Sequence, residues 1–361
     1  MNKYKLNDKT IDIWGRCNYK DDALFIFWSG SGIETNVQAS QLYLKLTSYY
    51  EIAEQWLLVI VNDTITQRIM LPKGSSEICI FRSLNKDIVR NIRIVRDSQP
   101  AYFDPKAYLK FEELICDGQL LSPPKHKYHL EFIGDSVASG EAIAVSDKEV
   151  DYLPGNATAN NFVMRSAKML DGKYSCLSVG GWGVASSWDG NLNQTMPKVY
   201  EKICGVVDVE GCKDNYDFNE EMDYIIIHLG TNDTNSILRN KYSFYDEGDK
   251  VERMRDITLR ISEDEGLQLS EAVYDFLKLI RKYNSKAKII WTYGVLLVQA
   301  EDIITKGINK YIKDYNDNKV YYYTTINSLD DLGAFNHPSN HFHDLMAKQL
   351  YEKILEIENN I

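Results

Sequence analysis

The chain lacks most of what would mark a nucleic-acid-binding, membrane-spanning, metal-binding or disulfide-stapled protein. It has no block of Lys or Arg, and 41 basic residues face 52 acidic ones for a formal net charge of −11. A phosphate-binding footprint requires a basic patch, so no nucleic-acid partner is expected. No stretch approaches the roughly 18 consecutive apolar residues of a membrane span, so no membrane partner is expected either. Residues 1–17 show no apolar leader core, which makes a cytoplasmic protein the expectation. The cysteines (Cys17, Cys79, Cys116, Cys176, Cys204, Cys212) are scattered without CxxC spacing. Free thiols and no metal site are therefore expected. No cofactor motif is present, and no internal repeat accounts for the 24 tyrosines.

What is present is ordinary globular composition, 44% hydrophobic and 26% charged, in 361 residues. That length suggests two domains. Residues 1–124 read as short strands, among them Ala23 to Trp28, Gln41 to Leu46, Trp56 to Val61, Glu77 to Phe81 and Asn91 to Arg96. Several alternate apolar and polar residues between turn signals, the pattern of an antiparallel sandwich. After Ser122-Pro123-Pro124 the texture changes. Apolar runs at Lys127 to Ile133, Asp223 to Leu229 and Ala287 to Thr292 alternate with helical patterns at 160–170, 268–283 and 339–357. Residues 125–361 are thus expected to form an α/β domain with a parallel sheet and helices on both faces. Functional groups in such sheets gather at the carboxyl ends of the strands.

Three segments sit at those ends. Ile133-Gly134-Asp135-Ser136 runs from a strand into a tight turn that carries a serine. Leu229-Gly230-Thr231-Asn232-Asp233 follows an apolar strand, and an asparagine fixed there can aim its amide at a developing oxyanion. Loss of one such donor typically costs roughly 3–4 kcal/mol. His337-Pro338 precedes Ser339, a natural helix N-cap, so the histidine is held on a loop that can reach across the strand ends. His341 and His343 lie inside the following helix, where packing is the simpler role.

Taken together these segments resemble the SGNH (GDSL-type) hydrolases, whose conserved blocks hold a Gly-Asp-Ser serine, an asparagine and a C-terminal histidine. The family's oxyanion glycine is matched by Val179-Gly180-Gly181-Trp182-Gly183, with Gly181 in that role and Gly180 the alternative. The resemblance extends to carbohydrate esterase family two, through Phe27 to Ile33, Val59 to Asp63, Cys116 to Pro124 and the spacing of His337, His343 and Met346. It implies an N-terminal jelly roll before the SGNH domain. It also implies removal of O-acetyl groups from saccharides such as acetylated xylan or its oligomers, with Ser136 as nucleophile and His337 as base. The oxyanion donors would be the amides of Ser136 and Gly181 and the side chain of Asn232.

One departure matters. Relatives carry Gly-Ala-Asp-Trp-His-Pro, whereas this chain reads Gly333-Ala334-Phe335-Asn336-His337-Pro338. The acid that orients the histidine is therefore absent from its usual place. Three readings follow: a Ser136–His337 dyad oriented by a backbone carbonyl, a relocated acid at Asp330 or Asp331, or a non-catalytic carbohydrate-binding protein. A saccharide O-acetyltransferase would use the same serine. Trp182, Trp188 and Asn336 are candidate substrate-binding residues, the tryptophans with packing as the competing role. Thr234–Gly266 exceeds ordinary connection lengths and leaves open a lid, a homo-oligomer contact or a solvated insertion.

Overall fold

Alternation along β6 (Leu42–Tyr49) shows how the N-terminal strands are built: Leu42, Leu44 and Leu46 are buried while Lys45 is exposed. A computed structural model describes residues 1–145, 157–238, 260–327 and 331–359. Its first unit comprises Met1–His126 with two later segments, Tyr174–Cys176 and Glu201–Tyr216. One sheet has the order β3 (Cys17–Lys20), β4 (Ala23–Ile26), β11 (Tyr108–Cys116), β6, β9 (Gly74–Phe81), with β1 (Asn2–Lys5) also on β11. The other has the order β12 (Gln119–Leu121), β5 (Gly32–Gln38), β10 (Val89–Arg96), β7 (Trp56–Val61), β8 (Thr64–Met70), with β2 (Asp12–Trp14) on β5. The described pairings of both sheets are antiparallel, and one core of Leu24, Leu44, Val59, Ile94, Phe111 and Leu114 draws on both. Within this unit the later segments are tied in through Trp28 Nε1, which donates to Ile203 O at 2.7 Å, and through the edge contact of Trp14 with Tyr174.

The second unit comprises Lys127–Lys173, Leu177–Tyr200 and Asp217–Ile361. Its sheet has the order β14 (Gly172–Ser178), β13 (Tyr128–Gly134), β15 (Tyr224–His228), β16 (Lys288–Tyr293), β17 (Val320–Thr324). The pairings from β13 to β17 are parallel, as the unbroken burial of Tyr224 through His228 requires of a strand covered on both faces. Register decides the faces. Phe132, Ile226 and Ile290 share one row, and Ile133, Ile227 and Trp291 share the next, so the two rows point to opposite sides. Phe162, in the helix Phe162–Leu170, meets Phe132 edge-on; Phe276, in the helix Glu263–Tyr283, meets Trp291 edge-on. Helices therefore cover both faces.

Two of the long helices show a local cause. Glu263–Tyr283 opens on a capping box between Ser262 and Glu265 and buries Leu269, Val273, Phe276, Leu277 and Ile280 along one stripe. The last helix, Asn340–Asn359, buries Phe342, His343, Met346, Leu350, Ile354 and Ile357. Ser339 caps it, as its sequence position suggests: its Oγ accepts from Phe342 N–H at 3.1 Å. The centre of the long 234–266 segment, residues 239–259, lies outside the described residues, as does Asp330.

Candidate active site

Register brings the site together. Gly134, His228 and Thr292 lie side by side at the carboxyl edge of the sheet. The chain leaves β13 at Gly134 and turns at once into a short helix, Ser136–Ser139. Asp135 caps it by accepting Val137 N–H at 3.0 Å, which sets Ser136 at the first helical position. An amide at that position has no acceptor within its own helix, so it is available to a ligand. Gly140 ends the turn at φ 80°, and a Cβ there would stand 1.9 Å from Ala157 O, so only glycine fits.

His337 arrives from the other end of the chain. Its Nε2 lies 2.9 Å from Ser136 Oγ, and its Nδ1 lies 3.0 Å from the main-chain oxygen of Phe335. A carbonyl can only accept, so the proton of the neutral ring sits on Nδ1. The lone pair of Nε2 then faces the serine hydroxyl. The loop must bend sharply to place that carbonyl: Phe335 and Asn336 both adopt left-handed conformations, at φ 53° and 56°. For a residue with a Cβ this costs roughly 1–2 kcal/mol each. Asp331 holds the loop closed instead of orienting the base. Its carboxylate accepts from Ser339 Oγ and lies 2.7 Å from His341 Nδ1, while Ser339 N–H donates to Asp331 O and Gly333 N–H to His337 O. Of the alternatives the sequence leaves open, a relocated acid at Asp331 is thus not supported by these contacts.

Asn232 lies in the first turn of the helix Thr231–Leu238 after β15. Its Nδ2 donates to Trp182 O at 3.0 Å and reaches Asp135 Oδ2 at 3.3 Å, linking the serine turn to the glycine loop. Beside it, Asp233 gathers the amides of Val184, Ala185 and Ser186 at 3.0, 2.7 and 3.0 Å. These bonds fix the loop that carries Gly181. Gly181 itself stands at φ 81° with the Trp188 indole packed where a Cβ would go, and its carbonyl accepts Trp188 N–H at 2.7 Å. Among the described residues no hydrogen bond joins Gly181 to Ser136 or His337; its connection runs through Trp182 O and Asn232. Trp188 is 40% exposed, so it keeps a face for a ligand. Trp182 is 4% exposed, and burial removes its ring as a platform; it contributes a main-chain oxygen. Asn336 is half-buried beside His337.

Burial shapes the electrostatics. Loss of solvent pushes the Asp135 carboxyl up to about 7, with the Glu141 and Asp233 carboxylates adding to the effect and Val137 N–H opposing it. Burial also raises Asp233 against its three amide donors. Behind the site, burial drives His228 down to about 4 and His343 down to about 3. His343 stacks on Phe162, and its Nδ1 accepts Phe162 N–H at 3.2 Å. Both rings are thus neutral packing groups.

A further group was not anticipated from the sequence. Glu141, 7% exposed, places Oε1 3.5 Å from His337 Nε2. It lies five positions after Ser136, and its amide donates to Ser136 O at 2.9 Å. Nothing in that spacing reveals an encounter with a histidine so distant in sequence. Among the described residues no cluster of three or more His, Cys, Asp or Glu could hold a metal ion.

No family model matches the chain. Among solved structures it is similar to an acetyl xylan esterase from the rumen bacterium Butyrivibrio proteoclasticus, at 32% identity and a TM-score of 0.91, over 99% of this chain and 98% of that one. A family two carbohydrate esterase from Cellvibrio japonicus superposes with a TM-score of 0.79 at 20% identity, over 99% of this chain and 98% of that one. In sequence, the chain is 23% identical to an acetylxylan esterase / glucomannan deacetylase of Cellvibrio japonicus, over 97% of this chain and 90% of the relative.

Proposed function

From the premise that this chain belongs to carbohydrate esterase family two, of SGNH-type fold, and is a carboxylic-ester hydrolase, we propose that it removes O-acetyl groups from xylan or xylo-oligosaccharides by a Ser136–His337 dyad. On this reading the family's jelly roll, expected over residues 1–124, is the β-sheet pair of the first unit. The observation that carries the dyad is the 2.9 Å contact of Ser136 Oγ with a His337 ring whose Nδ1 is held by Phe335 O. The ring is already in the tautomer a base needs.

The reaction follows from these positions. His337 Nε2 takes the Ser136 proton as Oγ bonds to the acetyl carbonyl carbon. The carbonyl π electrons move to oxygen, and that oxyanion is received by the amides of Ser136 and Gly181 and by Asn232 Nδ2, whose 3.3 Å contact with Asp135 is the weaker of its two bonds. Protonated His337 returns the proton to the departing sugar oxygen as the C–O bond breaks. Water then attacks the acetyl-serine with the same base, and acetate leaves. Trp188 offers a face for a sugar ring next to the glycine loop.

Acetate release from acetylated xylo-oligosaccharide, measured with and without a non-acetylated acceptor sugar, tests the reading. Stoichiometric acetate in both, lost in Ser136→Ala, is the expected result. Transfer of acetyl to the acceptor at the expense of free acetate would make the protein a transferase, and binding without either product would make it a lectin-like protein.

A further inference from the structure

The family's orienting acid is missing at Phe335, and the structure puts a carboxylate on the opposite edge of the imidazole. Glu141 Oε1 stands 3.5 Å from Nε2, the nitrogen that exchanges a proton with Ser136. In the resting ring that nitrogen carries a lone pair, so there is no hydrogen to share and the contact is long for a hydrogen bond. Once Nε2 takes the serine proton, the ring becomes a cation and Nε2–H faces both Ser136 Oγ and Glu141. The contact then turns from neutral to attractive, in a pocket where Glu141 is nearly removed from water and Coulomb attraction is little screened.

We infer that Glu141 stabilises the His337 imidazolium from the Nε2 side, and so supplies the charge that the family draws from an aspartate beside Nδ1. This inference rests on the Ser136–His337 reading of the site. The two duties of a triad acid are thereby divided: orientation falls to a main-chain oxygen, and charge stabilisation to Glu141. Glu141 acts through His337 and is a positioning and electrostatic partner. Its place is secured locally, since its amide bond to Ser136 O fixes it to the same turn as the nucleophile.

The other titratable or charged groups around His337 do not supply this charge. His343, on the last helix, and His228, at the end of β15, are buried and neutral, and Arg165 faces His343. Asp135 is next to Glu141 on the serine turn, but its Oδ1 accepts Val137 N–H and burial raises its carboxyl to about 7, which makes it the weaker source of negative charge. Asp331 is committed to Ser339 and His341.

The test is the pH dependence of kcat/KM for p-nitrophenyl acetate, in wild type, Glu141→Gln, Glu141→Asp and Ser136→Ala, with thermal unfolding recorded for each. Removal of the charge should move the acid limb of the Glu141→Gln profile down by about one pH unit and lower kcat about tenfold, with KM little changed. Glu141→Asp, which keeps the charge, should hold the limb near its wild-type position. A Glu141→Gln profile superimposable on wild type overturns the inference. So does a loss of activity with an unmoved limb, equal in Gln and Asp, because that pattern reports structure alone. If Ser136→Ala retains activity the dyad itself fails; if Ser136→Ala is inactive and only the Glu141 limb stays fixed, the failure is confined to Glu141.

Discussion

His337 meets Ser136 through one nitrogen and a main-chain oxygen through the other, so no single aspartate is expected to matter as much as the histidine. Asp331→Asn keeps one oxygen to accept from Ser339 and should lower kcat about tenfold or less. His337→Ala should cost several orders of magnitude, near the roughly 10⁴ lost when a triad loses its acid's function. Steady-state kinetics on one acetyl ester compare the two directly, and an Asp331→Asn loss equal to that of His337→Ala would mean that Asp331 orients the base. The same segment shows what a sequence can and cannot say. Ser136, Asn232 and His337 announce themselves because each ends or abuts an element with a recognisable turn. The acceptor on Nδ1 belongs to the peptide group of Phe335, which every amino acid possesses, so no residue letter encodes it. What encodes it is the left-handed bend at 335–336, and neither Phe nor Asn in isolation predicts two such residues in a row.

The loop that follows β14 depends on one side chain of the helix Thr231–Leu238. Asp233 accepts three consecutive amides from Val184 to Ser186. Asp233→Ala would leave those donors without their acceptor, and an unmet buried donor costs about 1–3 kcal/mol. We expect Asp233→Ala to be destabilised by at least that amount in urea melts and to lose activity as the Gly181 loop relaxes. Asp233→Asn, which retains one acceptor oxygen, should lose less of both. Equal stability in all three proteins would show that the loop is held by other contacts. Elements with a clear period were readable in advance: the apolar run of β15, the stripes of Glu263–Tyr283 and Asn340–Asn359, and the alternation of β6 all follow from side-chain order. The strands β8 and β17 were not anticipated, because half-exposed sequences such as Thr64 to Met70 and Val320 to Thr324 bury too little on either face to give a pattern. The helix Glu301–Tyr315 was missed as well: its N-cap, Ala300, makes no side-chain cap hydrogen bond that would mark its start.

Folding of the whole chain is linked to pH through groups near the site. His228 and His343 are held near 4 and 3, whereas a histidine in the unfolded chain titrates near 6.5. As pH falls below about 6.5 the unfolded chain gains protons that the folded chain refuses, so their contribution to stability, complete above that pH, is lost on acidification toward 4 and 3. Asp135 has the opposite sign: raised to about 7, it binds a proton in the folded chain that the unfolded one releases near 4, and stability falls as pH rises through that window. The double variant His228→Asn/His343→Gln isolates the first effect. Between pH 6.5 and 4 its Tm should fall less steeply than that of the wild type; parallel curves would contradict the neutral, buried state of the two rings. On the proposed Ser136–His337 mechanism a chelator should leave ester hydrolysis unchanged; activity lost to EDTA and restored by zinc would refute that mechanism.

The first unit has one more property, which concerns synthesis. It draws on Tyr174–Cys176 and Glu201–Tyr216, so the acceptor for Trp28 Nε1 and the ring that meets Trp14 arrive long after residue 126 has been made. Elongation at about 5–20 residues per second puts residue 216 about 5–18 s behind residue 126. During that interval the nascent β unit is incomplete, and its finishing segments are delivered from within the sequence of the catalytic unit. The first unit therefore reaches its full set of contacts only after residue 216 has left the ribosome.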